Sequence, residues 1–103
     1  MTQPESRLQR KIQDALKLEG WFVFKVHGSE MMMAGLPDLI VCAEGYYIGL
    51  EVKLPSTRDN TSARQDYVHG LINEAGGLAT VVCSPQEALM VVKNHLVARK
   101  RNR

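Results

Sequence analysis

Apolar residues near the start of the chain fall at Leu8, Ile12 and Leu16, every fourth position in a polar background. That spacing puts them on one stripe of a helix, predicted over Thr2–Glu19 and stopped by Gly20. The pattern then changes character. "WFVFKV" (Trp21–Val26) is aromatic and β-branched, the content of a strand. "HGSEMMMAGLP" has no clean period and holds two glycines and a proline, so it reads as a loop. "DLIVCA" and "YYIGLEVK", joined around Glu44-Gly45, read as a β-hairpin.

Pro55 to Asn60 is polar loop. Ser62 is the expected cap of a second helix reaching about Ala75, with Val68, Leu71, Ile72 and Ala75 as its buried side. Gly76-Gly77 ends it, and "LATVVC" follows as a fourth strand. Ser84, Pro85 and Glu87 supply a cap, a first-turn proline and a first-turn acid for a third helix. Leu89, Val92 and Leu96 should face inward, ahead of a frayed tail. The order α-β-β-β-α-β-α predicts an α/β fold, a mixed four-stranded sheet flanked by helices.

The 103 residues, 45% hydrophobic and 23% charged, suit one soluble globular domain spanning 1–103. A net charge of +2 permits nucleic-acid binding without arguing for it, and the terminal "ARKRNR" is more pointed. Cys42 and Cys83 lie in apolar runs and read as small buried thiols. No stretch resembles a signal peptide, and no apolar run approaches the ~20 residues needed to span a membrane. The cytoplasm is the default expectation.

The hairpin contains the unusual chemistry. Asp38, Glu51 and Lys53 interrupt otherwise apolar strands, where charges are depleted unless compensated. Glu51 and Lys53, two apart, project to one face, while Leu50 and Val52 point the other way. Twelve residues separate Asp38 from Glu51, so a tight hairpin can bring the two together. Paired carboxylates repel, and something positive should sit between them. Lys53 can serve, and a divalent cation serves better; magnesium usually takes one or two protein carboxylates. Cation, phosphate and lysine together suggest phosphodiester hydrolysis. The plainer alternative is a turn-capping Asp38 and an exposed Glu51–Lys53 pair worth little.

At Pro37-Asp38 and Glu51-Val52-Lys53 the sequence resembles the PD-(D/E)XK nuclease superfamily. Gly35, Leu39-Ile40 and Gln65 narrow the resemblance to the VRR-NUC family in its compact, stand-alone phage-type form, with archaeal Holliday-junction resolvases related. The resemblance implies a restriction-endonuclease-like core and a DNA endonuclease dependent on Mg2+ or Mn2+. Branched DNA is the implied substrate, four-way junctions ahead of flaps, and the implied working unit is a homodimer. A non-cleaving DNA-binding module of the same fold is the alternative. Asp38 and Glu51 would be metal ligands, with the Val52 carbonyl a third, and Lys53 the catalytic lysine. Gln65 would be the family's glutamine on the following helix and Glu5 the acid of the first helix, acting through water or a second metal.

Both of these last residues have a competing role. "TQPE" and "SARQ" each fit a capping box, with Glu5 or Gln65 reaching back to Thr2 or Ser62, and the two roles need not exclude each other. Lys25, Arg58, Arg64, Arg99, Lys100 and Arg101 are candidate phosphate contacts, or simply solvated charges. His27 is a candidate proton carrier; His69 and His95 are weaker ones. Met31–Met33 could meet a partner subunit, wedge at a DNA branch point, or pack locally. No organic cofactor is implied: zinc spacing, a phosphate-binding glycine loop and a nucleophilic triad are all missing.

Overall fold

Three helices and four strands follow one another in the expected order: α1 (Pro4–Lys17), β1 (Phe22–Lys25), β2 (Leu39–Ala43), β3 (Tyr46–Val52), α2 (Ala63–Glu74), β4 (Leu78–Val82) and α3 (Pro85–Arg101). The polar loop after β3 holds a single 3-10 turn, Pro55–Thr57. This computed structural model describes residues 4–28 and 31–101. Thr2, the predicted first cap, and Asn102 and Arg103 of the basic tail lie outside the described residues, as do Ser29 and Glu30.

The strands form one mixed sheet in the order β1-β2-β3-β4. β1 and β2 run antiparallel, as do β2 and β3, with Leu39 opposite Leu50 and Ala43 opposite Tyr46. β4 joins β3 in parallel, Glu51 opposite Val81. A parallel neighbour requires a long crossover, and α2 supplies it.

Strand alternation divides the sheet into two unlike faces. Val41, Ala43, Ile48, Leu50 and Val52 point to one side and pack with Ile12 and Leu16 of α1 and with Ala88, Val92 and Leu96 of α3. This is the main core, and it matches the stripes read from the sequence. Ile40, Cys42, Gly49 and Glu51 point to the other side, which α2 covers only in part.

That partial cover accounts for two departures from expectation. α2 buries Val68 and His69, whereas Leu71 is 41% exposed and Ala75 is exposed. The helix turns a partly polar side to the sheet because the sheet there is polar, so apolar spacing misreports its inner face. Cys42 is exposed rather than buried, since β2 presents it beyond the reach of α2. Cys83 is half-buried. At the other end, α3 does not fray before its basic tail but continues through Arg101, with Arg99, Lys100 and Arg101 in a last turn whose dipole favours cations. No helix of the described residues is long and apolar enough to cross a membrane.

Candidate active site

The hairpin brings Asp38 and Glu51 together where β3 ends. Asp38 directly precedes β2, and its Oδ2 accepts a 2.8 Å hydrogen bond from the Val52 N–H. Its own carbonyl accepts from Val26. Gly49 makes the approach possible: a Cβ there would stand 2.5 Å from Cγ of buried Pro37. A side-chain-free position on β3 therefore lets the Pro37-Asp38 turn lie flat on the strand.

Glu51 is 2% exposed, in the middle of this arrangement. Its carboxyl is pushed up from 4.5 to about 8, first by burial, then by the charge of Asp38 and a hydrogen bond with the Asp38 carboxyl. Lys53 pulls the other way, and Glu5 adds a small push upward. Lys53 Nζ stands 3.8 Å from Glu51 Oε2 with a side chain 15% exposed. The same Oε2 accepts a 3.0 Å hydrogen bond from Gln65 Nε2.

Gln65 holds both positions that the sequence left open. Its Oε1 accepts from the Ser62 N–H at 2.9 Å while Ser62 Oγ accepts from the Gln65 N–H at 3.1 Å, a complete capping box. Its Nε2 remains available for Glu51. Glu5, half-buried on α1, is close enough for its charge to be felt at Glu51. Among the described residues, however, no three His, Cys, Asp or Glu side chains gather at metal-binding spacing.

The donors present fit a hard divalent cation. Two carboxylates sharing one buried site resist joint ionisation, and a cation between them removes the conflict. Glu51 Oε1 is buried with no hydrogen-bond partner, which a stable protein rarely tolerates. Two carboxylates with a nearby main-chain oxygen are also the modest donor set that magnesium accepts. Asp38, Glu51 and the Val52 carbonyl are the residues that could hold it.

The basic candidates separate by what they touch. Arg58 forks onto Glu87, at 3.0 Å to Oε1 and also to Oε2, and reaches Cys83 Sγ at 3.1 Å. Its charge is paired at the start of α3 while the side chain stays exposed, and the hydrogen bond from Arg58 holds the Glu87 carboxyl below its usual range. Arg64 is likewise engaged, donating from Nε to the Ala34 carbonyl at 3.2 Å and lying over the Tyr67 ring. Beside it, Gly35 adopts a φ of +87° and packs so closely on Arg64 that a Cβ would meet its carbonyl oxygen at 2.7 Å. Arg64 thus straps the methionine loop to α2, and a cleft of about 260 Å³ lined by Met32, Met33 and Asp38 lies beneath that loop. Lys25 is half-buried on β1, Lys100 pairs with Glu44, and Arg99 and Arg101 are exposed on the last turn of α3.

His69 is the neighbour that sequence reasoning undervalued. It is buried on α2, and its Nε2 stands 4.0 Å from Glu51 Oε1. Burial pushes its imidazole down in pKa, against the opposing charges of Asp66 and Asp38. The signal was available in its spacing: His69 follows Gln65 by four residues and therefore shares its helical face.

No family model matches the chain, and no curated protein sequence does. Solved structures do. One described as a VRR_NUC domain is 26% identical and aligns with a TM-score of 0.66, covering 86% of this chain and 94% of its own. Another, described as a VRR_NUC domain protein, is 17% identical with a TM-score of 0.70, covering 93% of this chain and 90% of its own; it speaks for the fold alone. Together with the restriction-endonuclease-like α/β architecture, these likenesses agree with the resemblance read at Pro37-Asp38 and Glu51-Val52-Lys53: the chain is similar in fold to VRR_NUC domains.

Proposed function

We propose that the chain is a Mg2+- or Mn2+-dependent endonuclease that hydrolyses phosphodiester bonds in branched DNA, with four-way junctions ahead of flaps. One observation carries the reading: buried Glu51 sits against Asp38 with one oxygen unpartnered and Lys53 beside the other. A cation held by Asp38, Glu51 and the Val52 carbonyl would polarise a phosphoryl oxygen and make a water more acidic. Lys53 would neutralise charge developing on the phosphorane as the water oxygen bonds to phosphorus and the ester oxygen leaves. Gln65 fixes the carboxylate that this chemistry depends on, and Glu5 adds negative charge at the same spot.

A homodimer belongs to the same proposal. Paired nicks across a four-way junction need two sites related by a two-fold axis. Exposed Phe22, Phe24 and Tyr47 offer an apolar strip on the sheet face that α2 leaves uncovered, and Met31–Met33 expose further apolar surface on the loop between β1 and β2. The experiment is cleavage of labelled four-way, flap and linear DNAs with Mg2+ or Mn2+, wild type against Asp38→Ala, alongside sedimentation of the free protein. Junction cleavage by a dimer, lost in the variant, is the expected result. Near wild-type cleavage by Asp38→Ala would defeat the site assignment, and a monomer that prefers flaps would move the substrate reading there.

A further inference from the structure

We propose that His69 is a positioning residue of this site: its Nε2–H is the donor for Glu51 Oε1, the carboxylate oxygen that Gln65 leaves unused. The inference rests on the nuclease reading above and goes beyond it, because it gives Glu51 two donors from consecutive turns of one helix.

The geometry is reciprocal. Among the described residues, Glu51 Oε1 and His69 Nε2 are both buried side-chain atoms without a hydrogen-bond partner, and they face each other at 4.0 Å. Buried polar atoms are almost always satisfied, so two orphans directed at one another are better explained as a pair than as two separate defects. The separation exceeds hydrogen-bond length by about an ångström, a gap that a small rotation of either planar group closes. Closing it satisfies both buried atoms at once, whereas leaving it open costs each of them a partner.

α2 is built to deliver both donors. Gln65 and His69 stand four residues apart and face the sheet together. The capping box fixes the first turn of the helix, and Val68 buries itself between the two donors in sequence. Gln65 takes Oε2 at 3.0 Å and His69 faces Oε1. A carboxylate gripped at both oxygens has one orientation, which is what partners behind a metal ligand contribute.

The rival role for the same nitrogen is direct cation ligation, which would require a bare Nε2 with the proton on Nδ1. The tautomer decides between them. Histidine-15N spectra of the wild-type protein with saturating Mg2+ should show His69 as the Nε2–H tautomer; an Nδ1–H tautomer would overturn the proposal. Calorimetric Mg2+ titration of the purified protein adds a second readout. His69→Phe, which fills the space without a donor, should weaken cation binding by about 10- to 100-fold, while His69→Gln, which can place an N–H near the same point, should stay within about threefold of wild type. Equal binding by His69→Phe overturns the proposal and leaves the nuclease reading intact. Loss in both variants makes His69 a packing residue and overturns it as well. A wild-type protein that binds no divalent cation removes the nuclease reading itself, and this inference with it.

Discussion

Replacing Glu51 by Gln should stabilise the cation-free protein at alkaline pH. Glu51 is 2% exposed and its carboxyl is raised from 4.5 to about 8, by burial first and then by Asp38. Between those two values the folded state holds a proton that the unfolded chain has released. Stability therefore falls as pH rises through this window and reaches its low plateau above about pH 8. At about 1.4 kcal/mol per pH unit the ceiling on that loss is roughly 4–5 kcal/mol. Relaxation and water entry reduce such penalties in real proteins, so a difference of about 1–3 kcal/mol is expected. Glutamine keeps the shape and cannot ionise. His95 and Glu87 have their partners away from Glu51 and cancel in the comparison, while His69, beside Glu51, is held constant by repeating both curves in a His69→Phe background. The assay is urea unfolding in EDTA at steps from pH 4.5 to 9, followed by the fluorescence of Trp21, which packs against the core. The variant should match wild type near pH 4.5 and exceed it by about 1–3 kcal/mol at pH 9. Mg2+ at 100 times its dissociation constant should restore about 2.7 kcal/mol to wild type alone. Parallel pH curves for the two proteins would refute the account of Glu51.

Three other outcomes are expected. Lys53→Ala should lose about 2–4 kcal/mol of transition-state stabilisation with calorimetric cation binding retained; Lys53→Arg should recover only part, because a planar guanidinium places its charge differently. Gly49→Ala, whose Cβ would strike Pro37, should cost about 1–3 kcal/mol in urea unfolding and reduce cleavage by displacing Asp38; unchanged values in both would show that the turn can yield. Arg58→Ala should leave DNA affinity and its salt dependence unchanged, since Arg58 is spent on Glu87; a salt slope shallower by about one phosphate contact would return it to the DNA-binding set.

Legibility in the sequence followed the physics of each face. The α1 and α3 side of the sheet is a plain apolar core, and there the period of Leu8, Ile12 and Leu16 and the alternation of β2 and β3 read directly into structure. The hairpin's charged residues were legible as a problem because strands seldom carry them, and their chemistry suggested the pairing of Asp38 with Glu51. The α2 side was harder. Its inner face holds Gln65 and His69 beside Val68 because it lies over carboxylates, so a search for apolar spacing found Val68 but set Leu71 and Ala75 beside it in place of the two polar residues. The ion pairing of Arg58 with Glu87 spans 29 residues, and nothing local in the chain announces such a contact.

The double duty of Gln65 narrows what that position can accept. Its carbonyl end starts a helix and its amino end steadies Glu51, so the two tasks compete for a single side chain. Glutamate would serve the helix equally well but would bring a further negative charge to a pair already short of protons. Alanine would remove both bonds, and asparagine is one methylene shorter in a site where both ends are already in contact. Helix start and acid geometry thus form one unit: the first turn of α2 cannot be strengthened through this residue without detuning the carboxylate it touches.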